Sequence, residues 1–123
     1  MEAEVKKISS VTADSPADQP VFHAPPSYWL DLQGYDSVAL TASLPQPILV
    51  LQGERDYQVT MADDFPLLQR GLAHHPETTF KSYPSLNHLF ISGTGMSTPA
   101  EYAQPGNVAP EVIDDIAAWV KAH

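Results

Sequence analysis

The sequence predicts an α/β fold of the three-layer, parallel-sheet kind, present here as two parallel strands, a crossover helix and a C-terminal helix. Three observations predict it: the unbroken apolar run ILVLQ at 48–52, a second short strand TTFKSY at 78–83 beyond a helical pattern, and an amphipathic helix opening at Pro110. A strand without polar alternation is expected where a sheet is covered on both faces, as parallel sheets are. Strand, helix and strand then form one βαβ unit, which implies a right-handed crossover.

The elements follow in order. Residues 1–27 hold Pro16, Pro20, Pro25 and Pro26 among Ser, Asp and Ala, and read as an extended N-terminal arm or lid remnant, with helix only within 2–10. The main domain is expected over 28–123. Its first stretch, YWLDLQGYDSVALTA, offers Tyr28, Trp29, Leu32 and Tyr35 as packing anchors, and Asp36 as an N-cap for a short helix over 37–42. Pro45 and Pro47 precede the strand ILVLQ and Gly53 ends it. Thr60, Asp63 and Asp64 then open a helix whose Phe65, Leu68 and Leu72 share a face. Pro66 predicts an irregular first turn. Gly71, His74 and His75 close that helix, and Pro84 ends the second strand.

Residues 92–109 form a long loop rich in Gly, Ser, Thr and Pro. Pro110 suits the first position of the last helix. Glu111, Asp114 and Asp115 near its start and Lys121 near its end complement the helix dipole. Val112, Ile113, Ile116, Trp119 and Val120 make one apolar face, which needs a sheet to lie on. Two strands cannot cover a strand as apolar as ILVLQ, so completion by oligomerisation is expected, with the N-terminal arm reaching across to another copy.

A chain of 123 residues suits one domain. Six basic residues against fifteen acidic ones give a net charge of −9. No Lys/Arg cluster is present to displace phosphate counterions, which argues against nucleic acid. The same balance disfavours anionic membranes, and no apolar run is long enough to span one. With no cysteine, disulfides, thiolate catalysis and thiolate metal sites are excluded. No cofactor is implied.

Two segments carry chemistry. In ILVLQGERDYQV, Asp56 follows the strand's terminal Gly53 and lies at the carboxyl end of the strand, where open α/β sheets gather ligands. Alone, it reads equally as a turn cap. In YPSLNHLF, His88 follows the second strand, bracketed by Leu86, Leu89 and Phe90. Alone, it reads as a packed loop histidine. Together they stand just past the ends of two strands that should be adjacent and parallel, one crossover apart, so their side chains can converge. A carboxylate bonded to one imidazole nitrogen fixes the tautomer and leaves the other nitrogen as a general base. Acid before base is also the chain order of the last two triad members in α/β-hydrolases.

The family resemblance rests on five segments. PQPILVLQGERDYQVT resembles the acid-bearing strand of α/β-hydrolases, KSYPSLNHLF the histidine segment and VIDDIAAWV the terminal helix. SYWLDLQGYDSVAL and STPAEYAQPGNV are similar to a bacterial subgroup near the dienelactone-hydrolase and prolyl-oligopeptidase-like serine esterases. The resemblance covers about residues 28–121. It implies a partial α/β-hydrolase fold, Rossmann-like and three-layered, with Asp56 as triad acid and His88 as triad base. The expected function is that of a C-terminal fragment of a serine hydrolase cleaving carboxyl esters or peptides, inactive alone.

The departure is the nucleophile. That family carries its serine in G-x-S-x-G on a strand-to-helix elbow, and no such motif occurs here. Ser92 and Ser97 lie in the long loop, and Ser85 shares the turn of His88. Losing a triad nucleophile removes about 10⁶ of rate. A small ester or peptide is therefore the expected substrate only when an upstream segment completes the site. The alternative is a non-catalytic interaction module derived from the same fold, pairing through the open flank of ILVLQ.

The remaining candidates read as structure. His74 and His75 suit a helix end, where imidazolium complements the dipole. No H-x-x-x-H or H-E-x-x-H spacing supports zinc. Asp63–Asp64 and Asp114–Asp115 belong to helix starts, and His23 lies in the arm. The loop 92–109 is long enough to be a binding loop, so a substrate-facing edge is expected there, with Tyr102 lining it.

Overall fold

The structure, a computed structural model, describes residues 2–16 and 18–123. Contacts divide the chain into two units, with the boundary between Ser37 and Val38.

The first unit holds α1 (Glu2–Ser9) and α2 (Pro26–Gln33). Between them Val21 and Ala24 exchange backbone hydrogen bonds of 3.0 Å in both directions. Phe22 and His23, at φ 46° and 64°, make the connecting turn. Two left-handed central residues are what the mirror-image type I turn of a tight hairpin requires. Pro26 takes the first helical position of α2, where its missing N–H costs nothing.

The segment is therefore not the plain extended arm that its prolines suggest. The Trp29 indole N–H donates to Val21 O at 2.8 Å, and the Gln33 amide donates to Ile8 O at 2.8 Å. Of the four expected anchors, only Trp29 is substantially covered. Tyr28, Leu32 and Tyr35 are exposed.

In the second unit come α3 (Ser37–Ala42, which opens at the boundary), β1 (Ile48–Gly53), α4 (Phe65–Gly71), β2 (Thr78–Tyr83), a 3₁₀ turn (Pro99–Ala103) and α5 (Pro110–Ala122). β1 and β2 pair in parallel, Ile48 opposite Thr78 and Gly53 opposite Tyr83. The result is an α/β arrangement with a two-stranded parallel sheet. The α4 helix begins later than Thr60. Residues 60–64 form turns instead, in which the Thr60 hydroxyl accepts the Asp63 N–H at 3.0 Å and Asp64 accepts the Thr60 N–H at 2.6 Å. These bonds close the turns ahead of α4, whose N-cap is Asp64, and Pro66 falls in the first helical turn, where a proline is tolerated. Phe65 meets Phe80 of β2 edge-on at 5.7 Å, so α4 packs on the sheet.

His75 follows α4 and bridges two segments. Its Nδ1 lies 2.9 Å from Thr78 Oγ1 and 3.3 Å from the Glu77 N, and its Nε2 lies 2.9 Å from Leu44 O. The imidazole thus ties the approach to β1 to the start of β2.

The core of this unit is Tyr83, Leu86, Ala109 and Val112, with Leu51 and Phe90 packed against it. α5 reaches β2 through Val112, Asp115 and Trp119. The Asp115 carboxylate accepts the Tyr83 hydroxyl at 2.7 Å and pairs with Lys81, and the Trp119 N–H meets Thr79 Oγ1 at 3.3 Å. Burial, and then the Asp115 bond, push the Tyr83 hydroxyl's pKa up, so it stays a donor.

The rest of the expected apolar face is uncovered. Ile113, Ile116 and Val120 are exposed, and Ile48, Leu49, Val50 and Leu51 of β1 are only half-buried. No described helix is long and apolar enough to cross a membrane.

Leu86 is fully buried and Ile113 is 56% exposed. Denaturant unfolding should therefore show Leu86→Ala costing about 2–5 kcal/mol, and Ile113→Ala staying within about 0.5 kcal/mol. Equal costs would contradict this packing.

Candidate active site

Two turns meet at the carboxyl end of the sheet. The acid turn follows β1 and closes with an Asp56 N–H to Gly53 O bond of 3.2 Å. The base turn follows β2, where the Phe90 N–H bonds Asn87 O at 2.9 Å and places His88 inside the turn. The turns are joined by backbone bonds: Glu54 N–H to Tyr83 O at 2.9 Å and Arg55 N–H to Leu86 O at 3.0 Å. Gly53 makes this approach possible. A Cβ there would stand 2.5 Å from the carbonyl oxygens of both Leu86 and Asn87.

On this platform His88 Nδ1 and Asp56 Oδ2 lie 2.8 Å apart. The other carboxylate oxygen accepts the Gln58 N–H at 2.8 Å and the Val59 N–H at 3.1 Å. The buried amide of Gln52 stands 3.5 Å from Oδ2 and is held by Gly53 O and Val59 O. Asp56 is 4% exposed while the His88 side chain is 39% exposed, so the carboxylate is enclosed and the imidazole accessible. Burial pushes the Asp56 carboxyl up; the bonds from His88, Val59 and Gln58 outweigh it and hold the pKa below the usual carboxylate value. An ionised Asp56 accepts, so His88 donates through Nδ1, and in a neutral ring this bond leaves the lone pair on Nε2. A recess of about 170 Å³ adjoins the pair, lined by Leu51, Gln52, Gly53, Val59 and Phe90.

Of the serines weighed as nucleophiles, none bonds His88. Ser97 is buried and donates its hydroxyl to Arg55 O at 2.6 Å. Ser92 bridges to Leu86, and the Ser85 carbonyl accepts the Gly93 N–H. The long loop lies against the acid turn. Tyr102 stacks on Tyr57 with ring centroids 6.0 Å apart, and its hydroxyl accepts the Gln58 amide at 2.9 Å.

Sequence reasoning does not single out Gln52, Arg55, Asn87 or Glu101, although Gln52 stands beside Asp56 and Glu101 joins Arg55 to Asn87. The signals were thin. Arg55 and Asn87 directly precede Asp56 and His88, and Glu101 is the only charged residue in 92–109.

The depressed carboxyl gives a signed pH prediction. Ionised Asp56 stabilises the fold at neutral pH, and that contribution persists down to the unfolded carboxylate value of about 3.9. It is lost as pH falls further, through the lower folded value. Urea unfolding should show a stability gap between wild type and Asp56→Asn at pH 7 that narrows below about pH 4. A gap unchanged down to pH 2.5 would refute it.

Comparison with known proteins gives one informative match. No family model matches the chain, and no solved structure matches it. Among curated proteins, 105 residues, or 85% of this chain, are 41% identical to Esterase EstD of Thermotoga maritima. The chain spans about a quarter (25%) of that protein's length. Over most of its length the sequence is thus esterase-like, which supports an esterase-like hydrolase origin.

Proposed function

We propose that this chain is the acid-and-base part of a serine α/β-hydrolase acting on carboxyl esters, and that a separate segment supplies the nucleophile and oxyanion hole. The observation that carries this reading is the 2.8 Å approach of His88 Nδ1 to a buried, multiply bonded Asp56. In it, Asp56 holds the imidazole in the tautomer that leaves Nε2 basic. His88 takes the serine proton during acylation and returns it to the leaving group, while Asp56 stabilises the transient imidazolium. The similarity to an esterase favours esters over peptides as substrates. The half-buried β1 and the exposed Ile113–Ile116–Val120 stripe agree with a sheet that continues beyond these two strands.

A second reading, a non-catalytic module that pairs with another copy, is favoured by the same open flank of β1. Sedimentation separates the two: a concentration-dependent dimer supports pairing, and a monomer throughout removes it.

The catalytic reading is tested by a chimera. The chain replaces the segment of the Thermotoga maritima esterase to which it aligns, and hydrolysis of a short acyl ester is followed. The chimera should be active, and His88→Ala should lower kcat by at least about 10⁴-fold. Robust activity that ignores His88→Ala would end the proposal.

A further inference from the structure

We infer that Arg55 and Glu101 are positioning residues for His88, forming a latch that runs from the acid turn through the long loop to the base turn. Arg55 is 5% exposed. Its guanidinium donates to Gly95 O at 2.5 Å and Thr94 O at 3.3 Å, and it pairs with one carboxylate oxygen of Glu101. Gly93 lies directly beneath it, where a Cβ would stand 2.2 Å from Nη1. The other oxygen of Glu101 accepts the Asn87 amide at 3.2 Å.

Asn87 is 1% exposed, and its Oδ1 accepts the N–H groups of Leu89 at 3.0 Å and Ile91 at 3.1 Å. Those bonds fix the backbone on the far side of His88. The residue before the acid is therefore coupled through Glu101 to the residue before the base. Each member has its polar groups met: the fork of Arg55 by carbonyls and a carboxylate, Glu101 by two donors, and Asn87 by both of its ends. A planar, permanently charged fork suits such a buried junction better than a flexible ammonium. The latch also pins the loop 92–109, so that loop serves as a brace for the base turn and not only as an edge of the site.

The substitution that breaks the bridge with least change of shape is Glu101→Gln. Glutamine replaces one of the two carboxylate oxygens by an NH₂ donor, so one of Arg55 and Asn87 would then face a donor in place of its acceptor. The inference rests on the base role proposed for His88, so its test reads the imidazole directly and not turnover. Long-range ¹H–¹⁵N spectra of the full chain at pH 8 report the tautomer through the Nδ1 and Nε2 shifts. His74 serves as an internal reference, and the Leu86 and Val112 methyl signals report folding.

Wild type should show the Nδ1–H form. In Glu101→Gln the His88 shifts should move toward those of His74, and Glu101→Asp should restore them in part. Arg55→Lys, which loses the fork on Gly95 and Thr94, should move them in the same direction. Tyr102→Phe, which removes the hydroxyl that accepts from Gln58 and leaves the Arg55–Glu101–Asn87 bridge intact, should leave them in place. Wild-type shifts in folded Glu101→Gln or folded Arg55→Lys would overturn the inference. So would equal movement in Tyr102→Phe, or unfolding of both latch variants, since the network would then stabilise the loop without acting on the imidazole. Asp56→Asn separates the two claims: if it keeps the wild-type tautomer, the catalytic pair itself is absent.

Discussion

At Gly53 the end of β1 runs against the backbone of Leu86 and Asn87 with no room for a methyl group. The organisation of the second unit at this end of the sheet depends on that contact. It lets the turn after β1 donate two backbone N–H groups, to Tyr83 at the end of β2 and to Leu86 beyond it, and so sets the separation between the carboxylate and the imidazole. The parallel register, with Gly53 opposite Tyr83, brings the two strand ends level. Tyr83 and Leu86 then bury into the core that α5 closes, so the base turn is held from below by packing and from the side by hydrogen bonds.

A buried carboxylate is costly unless its lone pairs are met. Asp56 meets this condition with two backbone N–H groups on one oxygen and His88 on the other, while Gln52 stands close by. The same arrangement gives the pair its direction. The carboxylate is enclosed and held ionised, the imidazole is open to solvent, and its Nδ1 faces the carboxylate. A histidine in this setting is oriented by one carboxylate, which under the proposed function is what a general base needs.

The parts legible in the sequence were those with local or periodic signals. ILVLQ and TTFKSY are strands because their composition and flanking Pro and Gly leave little else, and Pro110 with its acidic first turn marks α5. Asp56 and His88 stood out because each follows a strand end. What was not legible is non-local. The Arg55–Glu101–Asn87 bridge joins residues far apart in sequence, and no spacing rule encodes it. His75 reads as a helix-end residue, and no spacing announces that its ring links Leu44 to Glu77 and Thr78. Periodicity named the apolar residues of α5 but not their cover, so Ile113, Ile116 and Val120 were grouped with Val112 although they face outward. Prolines read as breakers of the first unit, whereas Pro26 begins a helix.

The account turns on the energetic meeting of Asp56 with His88, and a double-mutant cycle in the intact chain measures it. Unfolding free energies at pH 7 are compared for wild type, Asp56→Asn, His88→Ala and the double variant. The account predicts a coupling energy of about 1 kcal/mol or more between the two sites, because residues in hydrogen-bonded contact do not add independently. Costs that sum to within about 0.3 kcal/mol would mean that the two side chains do not interact, and would contradict it.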